Sequence, residues 1–379
     1  MKSKLPFQQL AKTSLLLAAI FCLALSSGNA MQAAKDALST CLYILLPSLF
    51  PFFVLSRMLI KSGGAALLGR ICDRIMRPLF NINGNGASAF ILGIISGYPV
   101  GAKTVTELYR EKALSKPEAE NLLCFSNNSG PLFILGAVGT GMLVNRHAGI
   151  LLYIVHVLAS VSVGVLLRFT IPSSSIRTLA AQRRSSRDIF TSSVEDSIIT
   201  LLHVFGYVIF FAVVMQLLQD YHCIAILTHM LSAVNLPSEV TQALACGALE
   251  LTTGIKMLSG ATAVPLSIKL VFISAILGWA GLSVHFQVKG ILSGSGLSFS
   301  KYLIGKGLHA AIAAIYTAIA IYIIKPDTPA FALPAFMIPA QNFETPFYFL
   351  ILTLIILLFY TIQVTGLTGK RKRPVQKHT

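Results

Sequence analysis

The sequence predicts an all-α polytopic membrane protein of two inverted-topology repeats. Each repeat has three spans and one re-entrant broken segment, and N- and C-terminal helices flank the pair. Three observations predict this fold. The 379 residues are 55% hydrophobic and 12% charged, about half the ~25% charged fraction of a soluble domain. Apolar runs such as "IVHVLASVSVGVLLRF" and "FYFLILTLIILLFYTIQV" are close to the ~20 residues that cross a hydrocarbon layer. Lysine and arginine, which give a net charge of +16, sit in short clusters between those runs. That distribution follows membrane topology rather than nucleic-acid binding.

From the N-terminus, residues 1–34 carry Lys2, Lys4 and Lys12 before "SLLLAAIFCLALSSGNA", readable as a first span or a signal-like segment. Residues 35–170 form the first expected repeat, with spans near 38–60, 118–143 and 148–168 and a shorter apolar piece at 87–101. A basic cytoplasmic linker follows at 171–194. Residues 195–325 form the second repeat, with spans near 196–218, 265–288 and 303–324 and a short piece at 242–255. Residues 326–379 hold a C-terminal span near 346–365 and the tail "GKRKRPVQK". The two short pieces are interrupted by Gly, Pro and Thr and read as re-entrant. With that topology Arg70, Arg74, Arg77, Arg110, Lys112, Arg168, Arg183, Arg184 and the tail all fall inside, and both termini are cytoplasmic by the positive-inside rule.

The repeat rests on order. "KDALSTCLYILLPSLFPFFVLSRML" lies on "EDSIITLLHVFGYVIFFAVVMQLL", and "AFILGIISGYPVGAK" lies on "ALACGALELTTGIK" with one gap. Ala89 then pairs with Ala243, Gly93 with Gly247, Gly101 with Gly254, Lys103 with Lys256 and His156 with His309. The offsets stay between 152 and 160. An odd number of crossings per repeat makes the halves antiparallel, the plan of many secondary transporters, whose sites form where broken segments meet near the midplane.

Non-helical backbone survives in a bilayer only against protein or a water-filled cavity, and each break exposes helix starts that suit an anion. The expected substrate-binding residues are therefore Ser96, Gly97, Tyr98, Lys103, Asn127, Asn128 and Ser129 in the first half. In the second half they are Thr252, Thr253, Trp279 and Ser283. Glu250, a carboxylate in the apolar run "ALACGALEL", costs ~3 kcal/mol at the bilayer centre and is the candidate coupling residue. Structural readings stand beside these: a simple kink at "SGYP", Asn127 and Asn128 as interhelical glue, Lys103 and Lys256 snorkelling, Glu250 paired with Lys256, and His156 and His309 as packed core residues.

Catalytic, metal and cofactor signatures are absent from the sequence. It has no phosphate loop, no Gly-x-Ser-x-Gly and no His-Glu-x-x-His, so no catalytic residue, metal or cofactor is expected and the chain is not read as an enzyme. The six cysteines (Cys22, Cys41, Cys72, Cys124, Cys223, Cys246) are scattered and suit apolar packing.

"SGYPVGAKTVTELY", "LSKPEAENLLCFSNNSGPLFILGAVGTGML" and "GALELTTGI" resemble the sporulation integral membrane proteins of the YlbJ type, within the wider group carrying nucleoside-recognition, or gate, domains. The resemblance covers roughly residues 35–325. It implies movement of dipicolinate, a small dianionic pyridine, from the mother cell across the outer forespore membrane. The implied partners are that solute, the lipid bilayer, and either further copies of the chain or other sporulation membrane proteins. A nucleoside or other small-solute symporter, and a non-transporting scaffold of a sporulation complex, are the alternative expectations.

Overall fold

Glycine, proline and asparagine cut this apolar chain into rods, and every regular element among the described residues is a helix. The structure is a computed structural model that describes residues 7–171, 189–231 and 236–324. The expected span at 346–365, the basic tail and most of the linker lie outside the described residues. The chain divides into two units, Met1–Ala332 and Leu333–Thr379, and the described helices all belong to the first.

α1 (Phe7–Leu25) and α2 (Ser27–Thr40) meet at an 89° bend. α2 continues through a π turn, Cys41–Leu45, into α3 (Leu46–Lys61). The stretch 38–60 is thus helical throughout, with the π turn just ahead of Pro47 and Pro51, which lack the N–H that an α ladder uses. The stretch after Lys61, expected inside from its arginines, is α4 (Gly64–Phe80). Gly69, Met76 and Phe80 face inward while Arg70, Arg74 and Arg77 are exposed, the pattern of a helix lying along a membrane surface.

Next come α5 (Gly86–Ser96), α6 (Val100–Arg110) and α7 (Lys116–Ser126). An interruption leads to a π-helix at Leu132–Met142 and then to α8 (Arg146–Leu167). α9 (Ile189–Asp220) is followed by α10 (Cys223–Leu231), α11 (Ser238–Leu249), α12 (Leu251–Gly260), α13 (Leu266–Trp279), α14 (Gly281–Leu292) and α15 (Phe299–Ile324). Four described helices are long and apolar enough to cross a membrane: α8 with its last turn (Arg146–Thr170), α9, the α13–α14 rod (Leu266–Leu292) and α15. The bent α1–α2 pair makes a fifth if taken as one span. The protein is a membrane protein whose described residues are all-helical in their regular structure. The stretch 118–143 is not a continuous rod, because residues 127–130 are non-helical.

Local chemistry sets where α7 begins. Ser115 and Glu118 form a capping box. Glu118 is 3% exposed and also accepts the backbone N–H of Asn83 at 2.9 Å and its side-chain amide at 3.2 Å, tying the turn before α5 to the start of α7. Phe80, Phe90 and Phe125 pack with ring centroids 4.8–5.7 Å apart beneath that turn. A second core joins Ile134, Val138 and Leu152 to Leu251, Ile255 and Leu258, so early and late segments of the chain share one interior.

Candidate functional site

Residue type imposes the first interruption. α5 ends at Ser96, and Gly97 takes φ +80°, a left-handed conformation that glycine adopts without the penalty of a Cβ. Pro99 has no N–H with which to continue a ladder, and α6 restarts at Val100. Gly93 and Gly101 face the carbonyl of Ser126, and a Cβ at either position would overlap that oxygen. Bare backbone at both positions lets the end of α7 dock into the α5–α6 hairpin.

The second interruption touches the first. A Cβ on Gly97 would stand 2.8 Å from the Gly130 nitrogen. Asn127, Asn128 and Ser129 between them are at most 1% exposed. The Asn127 amide donates to Tyr302 Oη at 3.3 Å. Asn128 donates to the Phe125 carbonyl at 2.8 Å and to Ser160 Oγ at 3.2 Å. The Ser129 N–H donates to His156 Nε2 at 3.1 Å, and its hydroxyl to Tyr98 Oη at 3.3 Å. Ser96, Gly97, Tyr98, Asn127, Asn128 and Ser129 are therefore one cluster.

The cluster holds more polar capacity than it uses. Eight buried side-chain polar atoms among the described residues have no hydrogen-bond partner, and five belong here: Ser96 Oγ, Ser126 Oγ, Asn127 Oδ1, Asn128 Oδ1 and His156 Nδ1. An unsatisfied buried polar atom costs ~1–3 kcal/mol. Such a concentration gives the cluster the hydrogen-bonding capacity to hold a polar ligand.

In the second half, α11 and α12 are separated at Glu250, which caps α12. Its carboxylate accepts the N–H of Thr252 at 3.0 Å, the N–H of Thr253 at 2.6 Å and the Thr253 hydroxyl at 2.8 Å. The chain's own anion thus occupies a helix start that the sequence offers to a ligand, and Thr252 and Thr253 are engaged with it. Glu250→Ala is expected to destabilise the protein by about 1 kcal/mol, the usual worth of such a cap. A thermal midpoint in detergent lowered by a few degrees checks this, and an unchanged midpoint contradicts it.

α13 and α14 are separated at Ala280, which with Gly281 at the start of α14 takes φ +77° and +79°, and a Cβ on Gly281 would lie 3.0 Å from the Leu251 nitrogen. The interruptions of this half also meet. Trp279 Nε1 donates to the Ala248 carbonyl at 3.1 Å, and its ring stands edge-on to His285 at 4.4 Å. Ser283 is buried in the first turn of α14. His285 Nδ1 is 3.2 Å from Tyr302 Oη, the hydroxyl that also takes the Asn127 amide. A chain of contacts, Trp279–His285–Tyr302–Asn127, thus joins the interruptions of the two halves.

Lys103 stands apart from both clusters. Its Nζ meets Thr200 Oγ1 beside an ion cluster in which Arg57 contacts Glu107 at 2.9 Å and Asp196 at 2.6 Å. These residues line a cavity of about 620 Å³ between α3, α6, α9 and α14, with His203 and Gln287 on its wall.

Sequence reasoning missed Tyr302 and Lys306 and gave His156 and His309 only a packing role. Lys306 is 1% exposed; its Nζ donates to the Asn127 carbonyl at 3.2 Å and reaches His309 Nδ1 at 3.3 Å. His309 Nε2 is 3.0 Å from the His156 carbonyl, and the two imidazole rings lie 4.4 Å apart. The histidines are buried, but they pack against each other at the interruption. Lys306, inside "KYLIGKGLHAAIA", was open to discovery by the rule that singles out Glu250, an ionisable residue within a span.

The gate family, described as nucleoside recognition, matches residues 42–144. The sporulation integral membrane protein YlbJ of Bacillus subtilis (strain 168) is 35% identical over 310 residues, 75% of this chain and 76% of that protein. Two solved structures of CNTnw variants, one in an intermediate and one in an outward-facing state, give TM-scores of 0.49 and 0.47 at 14% and 12% identity, each over 83% of this chain and 85% of the other. On the extent and identity of the YlbJ match, the chain belongs to the family of sporulation integral membrane proteins of the YlbJ type.

Proposed function

We propose that the protein is a secondary transporter of a small anionic metabolite, with dipicolinate, moved from the mother cell across the outer forespore membrane, as the solute. The observation that carries the reading is the group of five unpartnered buried polar atoms around two helix interruptions that touch. Enclosed, unsatisfied hydrogen-bonding capacity in the middle of a membrane bundle is costly unless a ligand uses it. Ser96, Asn127, Asn128 and Ser129 supply the polar contacts, the helix starts after Pro99 and Pro131 face anionic oxygens, and Tyr98 and Trp279 flank a planar ring. In this reading residues 35–170 and 195–325 are the two inverted repeats, the segments before and after them are flanking helices, 171–194 is a cytoplasmic linker, and both termini are cytoplasmic. The order short helix, break, short helix, broken helix, long helix occurs in α5–α8 and again in α11–α15, which supports the repeat.

The gate match at residues 42–144 favours a second reading, a nucleoside carrier. Uptake of labelled dipicolinate by proteoliposomes, with unlabelled nucleosides as competitors, separates the two. Saturable uptake that nucleosides leave untouched is expected. Uptake no faster than in protein-free vesicles, or blocked equally by nucleosides, sinks the dipicolinate reading.

A further inference from the structure

Lys306 has no role in the account so far, yet its position is unusual. It lies within the α15 span, 1% exposed, and its partners are a backbone carbonyl and an imidazole. The partner of each histidine nitrogen fixes the proton arrangement around it. The His156 carbonyl can only accept, so His309 Nε2 carries the proton and its Nδ1 accepts from Lys306. The Ser129 N–H can only donate, so His156 Nε2 is bare and Nδ1 carries the proton of the neutral ring. That Nδ1 is one of the unpartnered buried atoms.

Among the described residues, no side chain packed around Lys306 supplies negative charge. On α15 its neighbours are Tyr302 and His309. α7 brings Cys124 and the Asn127 carbonyl, α8 brings His156, and α14 brings His285 through Tyr302. α13 packs against α15 through Gly278 at Ala310, and its one lysine, Lys269, donates to the Ser259 carbonyl. The ion pairs among the described residues lie elsewhere, at Arg57, Lys61, Asp73–Arg77 and Glu120. An ammonium desolvated to this degree has no counter-charge among the described residues, and an arriving anion would supply one.

We propose that Lys306 is the cation that receives a carboxylate of the transported anion, and that it binds its proton together with that anion, so that solute and proton cross as a pair. The proton comes from the water phase on the loading side, sits on Nζ while the carboxylate is bound, and leaves to water when the carboxylate does. Linkage requires the effect to be mutual: an anion that pairs with the ammonium favours the protonated amine, and acid strengthens anion binding by the same factor. Lys306 lies at the interruption itself, through the Asn127 carbonyl, so this inference rests on the reading of that cluster as an anion site.

The test is calorimetric titration of the full-length detergent-solubilised protein with dipicolinate, near neutral pH, in two buffers of different ionisation enthalpy. The wild type is expected to take up a proton, up to one per anion, and to bind more tightly as pH falls. Lys306→Met is expected to lose the proton uptake and to bind at least about 30-fold more weakly, the lower range for removing one member of a buried charge pair. Lys306→Arg, always protonated, is expected to bind without proton uptake. Wild-type binding with no proton exchange overturns the inference and leaves the transporter reading standing, whether or not the variants fold. Proton uptake and affinity unchanged in Lys306→Met overturn it as well. Failure of the wild type to bind dipicolinate overturns both.

Discussion

Gly101→Ala is expected to reduce solute uptake at least tenfold per unit of folded protein. The added methyl would overlap the Ser126 carbonyl oxygen, and neither partner can yield easily. One is backbone at the end of α7; the other is backbone in the first turn of α6. Gly93 holds the same oxygen from the α5 side, so the strain cannot be relieved by sliding one helix. Overpacking of this kind costs ~1–3 kcal/mol, but the larger consequence is displacement. Moving Ser126 moves Asn127–Gly130, and with them the contact between Gly97 and Gly130 on which the cluster depends. Gly206→Ala on α9, where an added Cβ meets nothing within 4 Å, is the control; it is expected to leave uptake unchanged, with a small gain from helix propensity. Uptake by Gly101→Ala equal to that of Gly206→Ala would show that the close approach does not matter.

Asn128→Leu is expected to lower uptake by about 10- to 100-fold while changing stability little, a loss matching ~1–3 kcal/mol for a polar contact to the solute. The two ends of this amide differ. Nδ2 is committed to the protein, through the Phe125 carbonyl and Ser160 Oγ, whereas Oδ1 has no partner. Ser160 Oγ also donates to the Phe125 carbonyl at 2.6 Å, so that acceptor remains satisfied when the amide is removed. If Asn128 were only interhelical glue, the thermal midpoint would fall and uptake would change only in proportion to protein lost. Uptake per folded molecule and the melting midpoint, measured together, distinguish these outcomes.

How far the sequence goes depends on how local each feature is. The apolar runs at 148–168, 196–218, 265–288 and 303–324 emerge as α8, α9, the α13–α14 rod and α15, because length and composition decide them. The breaks at Gly97–Pro99 and Asn127–Gly130 are legible because clustered glycine, proline and asparagine inside an apolar run disfavour a continuous helix. α4 is not, since its inward face is carried by only Gly69, Met76 and Phe80 among arginines. The eleven-residue π-helix after Pro131 has no local sequence signal either. Its Gly139 lies against Gly149 of α8, a packing choice made by tertiary contact.

The candidate cluster divides along the same line. Asn127, Asn128 and Ser129 stand out as polar residues beside a break, but the partners of Asn127, Tyr302 and Lys306, are 175 and 179 residues away in the chain. Only the fold brings them there. Lys103 is the converse case: its place beside "SGYPVG" suggests the site, yet helical geometry turns it toward Thr200 and the Arg57 cluster. Glu250 also changes meaning. A lone carboxylate in an apolar run signals function by cost alone, and the structure gives it three hydrogen bonds as the cap of α12.

The most direct test of the account is a structure of the protein in a lipid bilayer disc with dipicolinate bound. The account predicts ligand density between the two interruptions of the first half, within hydrogen-bond reach of Ser96, Asn127 or Asn128 and with one carboxylate at Lys306. Density confined to the cavity lined by Arg57, Lys103 and Asp196, with the interruptions unchanged, would contradict it.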